Sequence, residues 1–115
     1  MIYLASPYSH PNPLVQEIRF QQVSWAAAKL IEAGNLVFGP ISHSHPITKY
    51  GGNGSWEYWE KFDRIMFDAC DVLWVLTLDG WDESKGVGFE MAWAQEAKVP
   101  VRMVSLEEIG AMAND

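Results

Sequence analysis

The sequence predicts an α/β fold: a three-layer, doubly wound, flavodoxin- or Rossmann-like sheet of about four to five parallel strands. Three observations predict it. Short apolar runs alternate with longer stretches of helical period along the 115 residues, in β-α-β-α order and without repeats or linkers. The run "DVLWVLTL" (71–78) is apolar almost throughout, as suits a central parallel strand covered on both faces. Stretches of turn formers follow the apolar runs, at the strand ends where ligands bind in such sheets. The length fits a single domain spanning 1–115, with one core.

"MIYLA" reads as the first strand, closed at about residue 5 by "SPYSHPNP". From Leu14 to Ala33, apolar residues recur at Ile18, Val23, Ala26, Ala27, Leu30 and Ile31, a helical period ended by Gly34–Asn35. "LVF" (36–38) is a second strand. The stretch "GPISHSHPITKYGGNGS" (39–55) has no periodicity and reads as a long loop, a kind usually functional or mobile. Ser55 can cap a helix over roughly 56–69, which leads into the 71–78 strand. A helix carrying Glu90 follows, then "VPVRMVS" as a fourth strand and a short helix from about Leu106. Ligands are therefore expected beside "SPYSH", the 39–55 stretch and "LDGWDESKGVGFE".

Composition narrows the function. Apolar residues make up 49% and charged residues 20%, as in a folded globular protein. A net charge of −7 with only 8 Lys and Arg argues against a nucleic-acid polymer as partner. The single cysteine, Cys70, permits no internal disulfide and suggests a reducing, cytoplasmic compartment. No apolar run approaches the roughly 20 residues of a membrane span, so no membrane partner is expected. Six Trp and four Tyr exceed the needs of a small core, so some are expected to line a pocket or a subunit interface.

Glu90 is the first candidate for chemistry. In "SKGVGFEMAWA", Gly86 and Gly88 remove side chains where the chain turns into a helix, allowing a ligand to approach the backbone. A first-turn position would hold the Glu90 carboxylate ionised, as a nucleophile requires. Dipole compensation on a surface helix is the plain alternative. A capping box is not, because Ser84 lies six residues upstream rather than three. Asp63 is the second candidate: its helix neighbours Trp59, Met66 and Phe67 put it beside an apolar face. Asp68 and Asp71 read as turn and solvation residues at the strand entrance. Two acids from different elements meeting in one crevice are the minimum for glycosidic chemistry. His43 and His45 alternate, so in an extended segment they would point the same way, toward a substrate or a metal. No third ligand has suitable spacing, so no metal site is expected.

The combination "IYLASPYS", "DRIMFDACDVLWVL" and "SKGVGFEMAWA" resembles the nucleoside 2-deoxyribosyltransferase-like superfamily, over nearly the whole chain and in order. It is similar to the 2′-deoxynucleoside 5′-phosphate N-hydrolases within it, and most of all to a branch of short uncharacterised domains. The resemblance implies that Glu90 is the nucleophile attacking the anomeric carbon of a deoxyribosyl group. It implies that Asp63 positions the sugar or serves the departing base, that Ser84 contacts a 5′-phosphate, and that Tyr8 lies near the sugar. Ser6 and Ser9 of the same first loop, Gly86, Gly88, His43 and His45 complete the expected substrate-binding set. The first loop "SPYSHPNP" holds less Gly and Arg than that of the hydrolases, and the "HSH" stretch has no counterpart in them. For a site residue lent by a partner subunit's tail, only Ser105 and Asn114 are candidates.

The expected function is cleavage or transfer at the N-glycosidic bond of a (deoxy)nucleoside or nucleotide, without metal or organic cofactor. A homodimer or larger assembly is expected, with surplus apolar surface around Trp56, Trp59 and Trp93. The rival expectation is a catalytically silent nucleotide- or sugar-binding module of the same fold.

Overall fold

A computed structural model describes residues 1–113. Asn114 lies outside the described residues. The element order is β1 (Ile2–Ala5), α1 (Pro13–Glu32), β2 (Val37–Phe38), α2 (Pro40–Thr48), α3 (Trp56–Asp68), β3 (Val72–Leu76), a 3-10 turn (Trp81–Glu83), α4 (Lys85–Ala97), β4 (Val101–Val104) and α5 (Leu106–Ala113). The four strands form one parallel sheet in the order β2-β1-β3-β4.

The apolar runs fold as strands because alternate side chains serve opposite layers. Tyr3, Ala5, Leu73 and Val75 enter one core with Phe67 of α3 and with Val87, Trp93 and Ala94 of α4. Leu4, Leu76 and Val104 enter the other with Val23, Ala26, Ala27 and Leu30 of α1 and Ile109 of α5. Three layers result. The 71–78 run supplies β3, which lies between β1 and β4 as expected of a central strand.

Helix ends follow local chemistry. Asn12 caps α1 through Leu14 N, with Pro13 at the first helical position, and Gly34 leaves the helix at φ 99°. Ser55 accepts from Tyr58 N, and Ser84 accepts from Val87 N.

The 39–55 stretch departs from expectation. Its first half is a helix, α2, rather than an aperiodic loop. Pro40 sits where a missing N–H costs nothing, and the Ser24 and Ser42 hydroxyls meet at 2.7 Å to tie α2 to α1. Among the described residues, no helix is long and apolar enough to cross a membrane.

The chain winds from β1 outward to β2, then returns past β1 to β3 and continues to β4. β1 and β3 are therefore neighbours whose connections run in opposite directions, and a crevice opens beyond their carboxyl ends.

Candidate active site

That crevice is a cavity of about 460 Å³. Ser6, Tyr8 and Ser9 reach it from the turn after β1. Gly80 and Ser84 reach it from the β3–α4 connection, Asp63 from α3, and Gly86 and Glu90 from α4. Seven of the ten expected site residues thus meet in one place: Ser6, Tyr8, Ser9, Asp63, Ser84, Gly86 and Glu90.

The two carboxyl groups set its electrostatics. Glu90 is 3% exposed and Asp63 is 5% exposed. Burial pushes Glu90 up to about 8; the nearby Asp63 charge raises it too, while the Tyr3 hydroxyl favours the ionised form. Burial alone pushes Asp63 up to about 7. The expectation of a first-turn Glu90 held ionised by helix amides is corrected. Ser84 caps α4 and Lys85 begins it, so Glu90 falls in the second turn, buried in the cavity wall. Tyr3 lies under the pair, its hydroxyl raised by burial and by both carboxylates. That hydroxyl is buried without a partner at full hydrogen-bond geometry, as are Ser6 Oγ, Asp63 Oδ1 and Trp56 Nε1.

Gly86 lines the cavity, and a Cβ there would stand 3.4 Å from the Trp56 ring. Gly88 does not line it. It is exposed with open space around it, because the helix has already turned its side away from the strand ends. The two histidines also part company. Two residues on a helix point about 200° apart, so they cannot face the same way as on a strand. His43 stacks on Phe62 at 4.8 Å and meets Trp59 edge-on, outside the cavity lining. His45 turns inward behind Tyr8: its Nδ1 lies 2.6 Å from the Tyr8 hydroxyl and its Nε2 lies 2.5 Å from Glu17. Among the described residues, no three His, Cys, Asp or Glu side chains gather as a metal site would.

Several cavity residues carry no motif that sequence reasoning singles out. Trp56 and Trp59 form an aromatic wall, with Trp56 stacked on Phe89 at 5.4 Å and packed on Trp93. The excess of tryptophan is the one signal for them. Lys85 bridges to Glu57 at 2.8 Å, joining the first turns of α4 and α3 at the rim and holding Glu57 below the usual carboxylate range. Arg19 donates to Ser9 O at 3.1 Å and Asp79 O at 3.0 Å, clamping the β1 and β3 connections together. Nothing local marks Arg19, since Asp79 lies 60 residues away. Ser105 lies outside this cavity, in the lining of a separate cleft at the start of α5.

No curated protein matches the chain significantly. A family model described as "Domain of unknown function (DUF1937)" matches residues 1–106, and the chain belongs to that family.

Proposed function

We propose that the protein cleaves or transfers the N-glycosidic bond of a (deoxy)nucleoside or nucleotide, as members of the nucleoside 2-deoxyribosyltransferase-like superfamily do. The observation that carries this reading is the pair of buried carboxyl groups, Asp63 and Glu90, in one cavity at the carboxyl edge of the sheet. Two carboxyls pushed up to about 7 and about 8 hold roughly one proton between them near neutral pH. In the productive arrangement Asp63 holds that proton and Glu90 is ionised, the form Tyr3 favours. Glu90 attacks the anomeric carbon, the C–N bond breaks, and the departing base takes the Asp63 proton. Water or a second base then displaces Glu90 from the sugar and returns a proton to Asp63.

The surroundings suit such a substrate. Trp56, Trp59 and Tyr8 line the cavity with aromatic surface, which suits a base. Ser84 accepts from Val87 N, and its hydroxyl hydrogen remains free for a phosphate near the start of α4. The double displacement needs neither metal nor organic cofactor.

Incubation with a panel of deoxynucleosides and their 5′-monophosphates tests the reading by release of free base. Release from at least one is expected. Binding without release across the panel would favour the silent binding module. The pH dependence is a second check. Below about 7 both carboxyls are protonated and no nucleophile exists; above about 8 both are ionised and no acid remains. A bell-shaped kcat/KM with limbs near those values is expected, and Asp63→Asn should keep only the rising limb.

We further propose that copies of the chain pair in a cytoplasmic setting, which the free Cys70 suits. Trp93 is buried and Trp56 and Trp59 are drawn into the cavity wall, so these tryptophans are not the surplus surface. Tyr58, Phe62 and Ile65 form an exposed apolar stripe along α3 instead. Light scattering at micromolar concentration should give twice the chain mass of 13.0 kDa.

A further inference from the structure

Behind Tyr8 stands a chain of polar groups that the reaction above does not use. His45 is 8% exposed and stacks on Phe20 at 4.4 Å. One ring nitrogen, Nε2, lies 2.5 Å from Glu17 Oε2, and the other, Nδ1, lies 2.6 Å from the Tyr8 hydroxyl. Glu17 is held below the usual carboxylate range by that contact with His45, so it carries no hydrogen and can only accept. The hydrogen between them must sit on Nε2. With that hydrogen on Nε2, the uncharged ring has a bare Nδ1. The Tyr8 hydroxyl then spends its one hydrogen on Nδ1.

We propose that Glu17 and His45 fix the hydrogen-bond polarity of Tyr8, so that it presents only lone pairs to the cavity and selects ligands that donate a hydroxyl hydrogen. Tyr8 is the specificity residue, and His45 and Glu17 are positioning residues that never touch the ligand. A glycosyl hydroxyl is the natural donor, and that identification rests on the N-glycoside reading above. The polarity itself does not. A site built to accept a hydroxyl hydrogen rejects an analogue without one, because its own acceptor is left unpaired.

Side-chain nitrogen NMR on the free protein reads the His45 tautomer directly. Hydrogen on Nε2 with bare Nδ1 is expected; hydrogen on Nδ1, or on both nitrogens, overturns the proposal. Glu17→Lys replaces an acceptor by a donor at the far end of the chain and should move the hydrogen to Nδ1. A variant ring that keeps the wild-type tautomer shows that Glu17 does not set it, and likewise overturns the proposal.

The consequence for binding is measured with 2′-deoxyadenosine and its 3′,5′-di-O-methyl ether, on a Glu90→Gln background so that neither is cleaved. The free nucleoside should bind roughly ten- to hundredfold more tightly. Glu17→Lys and Tyr8→Phe should each narrow the ratio to about threefold or less. An unchanged ratio in a Glu17→Lys protein whose tautomer has moved overturns the selection. If neither probe binds the Glu17-intact protein, the nucleoside reading fails, and the tautomer measurement still decides the inference about Tyr8.

Discussion

Glu90→Gln is expected to lower base release by at least about three orders of magnitude while leaving nucleoside binding within about tenfold. The amide keeps the shape of the carboxyl but cannot bond to the anomeric carbon, so the remaining rate rests on positioning alone. Glu90→Ala should behave alike if Glu90 acts as the proposed nucleophile rather than as a contact. Asp63→Asn costs less, roughly 10²–10⁴-fold, as expected of a lost proton donor. Initial rates of base release on the three variants establish the order. A wild-type protein stalled with a slow substrate should also gain the mass of one glycosyl group, and Glu90→Gln should not. Unimpaired turnover in Glu90→Gln would remove the nucleophile and leave the binding-module reading.

The strands and most helices are legible in the sequence because their causes are local. β3 announces itself as an apolar run, α1 has a helical period from Leu14 to Ala33, and Ser55 caps the helix that follows it. α2 is illegible because its cause is tertiary. "PISHSHPIT" carries two prolines, two histidines and two serines with no apolar period, and it folds by packing on α1 and β1. An extended reading of that stretch puts both histidines on one side. As a helix it sends His43 to Phe62 and His45 to Tyr8.

The site is legible in its members more than in its electrostatics. A strand–turn–helix pattern locates Glu90, and an acid beside an apolar helix face locates Asp63. What no pattern shows is depth. The glycines suggest a Glu90 among first-turn amides that favour its charge, yet one extra turn after Ser84 carries it beneath the Trp56 wall and beside Asp63. The sign of its environment reverses with that single turn. Arg19 and Glu17 escape a sequence reading for a related reason: on α1 they read as solvated helix residues, and only the fold brings Asp79 and His45 to them.

The reversal has a large thermodynamic consequence. Raising the pH from 5 to 9 is expected to destabilise the wild-type protein by several kcal/mol, and Glu90→Gln is expected to remove much of that loss. The sign follows from proton uptake. Glu90 is pushed up to about 8 in the fold from 4.5, so between those values the folded state binds a proton that the unfolded state has released. Stability is therefore full at or below the unfolded value and falls as the pH rises toward 8. A tenfold difference in proton affinity between the folded and unfolded states is worth about 1.36 kcal/mol. Glu90 thus accounts for the order of a few kcal/mol, and Asp63, at about 7, adds a further part not independent of it. In a domain of this size, Tm should drop by roughly ten degrees or more across the range. Glu90→Gln should melt within about two degrees of wild type at pH 5 and well above it at pH 9. A carboxylate that only offset a helix dipole would do the reverse, contributing about 0.3–1 kcal/mol that Glu90→Gln forfeits at alkaline pH. Melting curves of the two proteins at pH 5, 7 and 9 separate the cases, and a variant that is less stable at pH 9 would show that Glu90 is not buried against its charge.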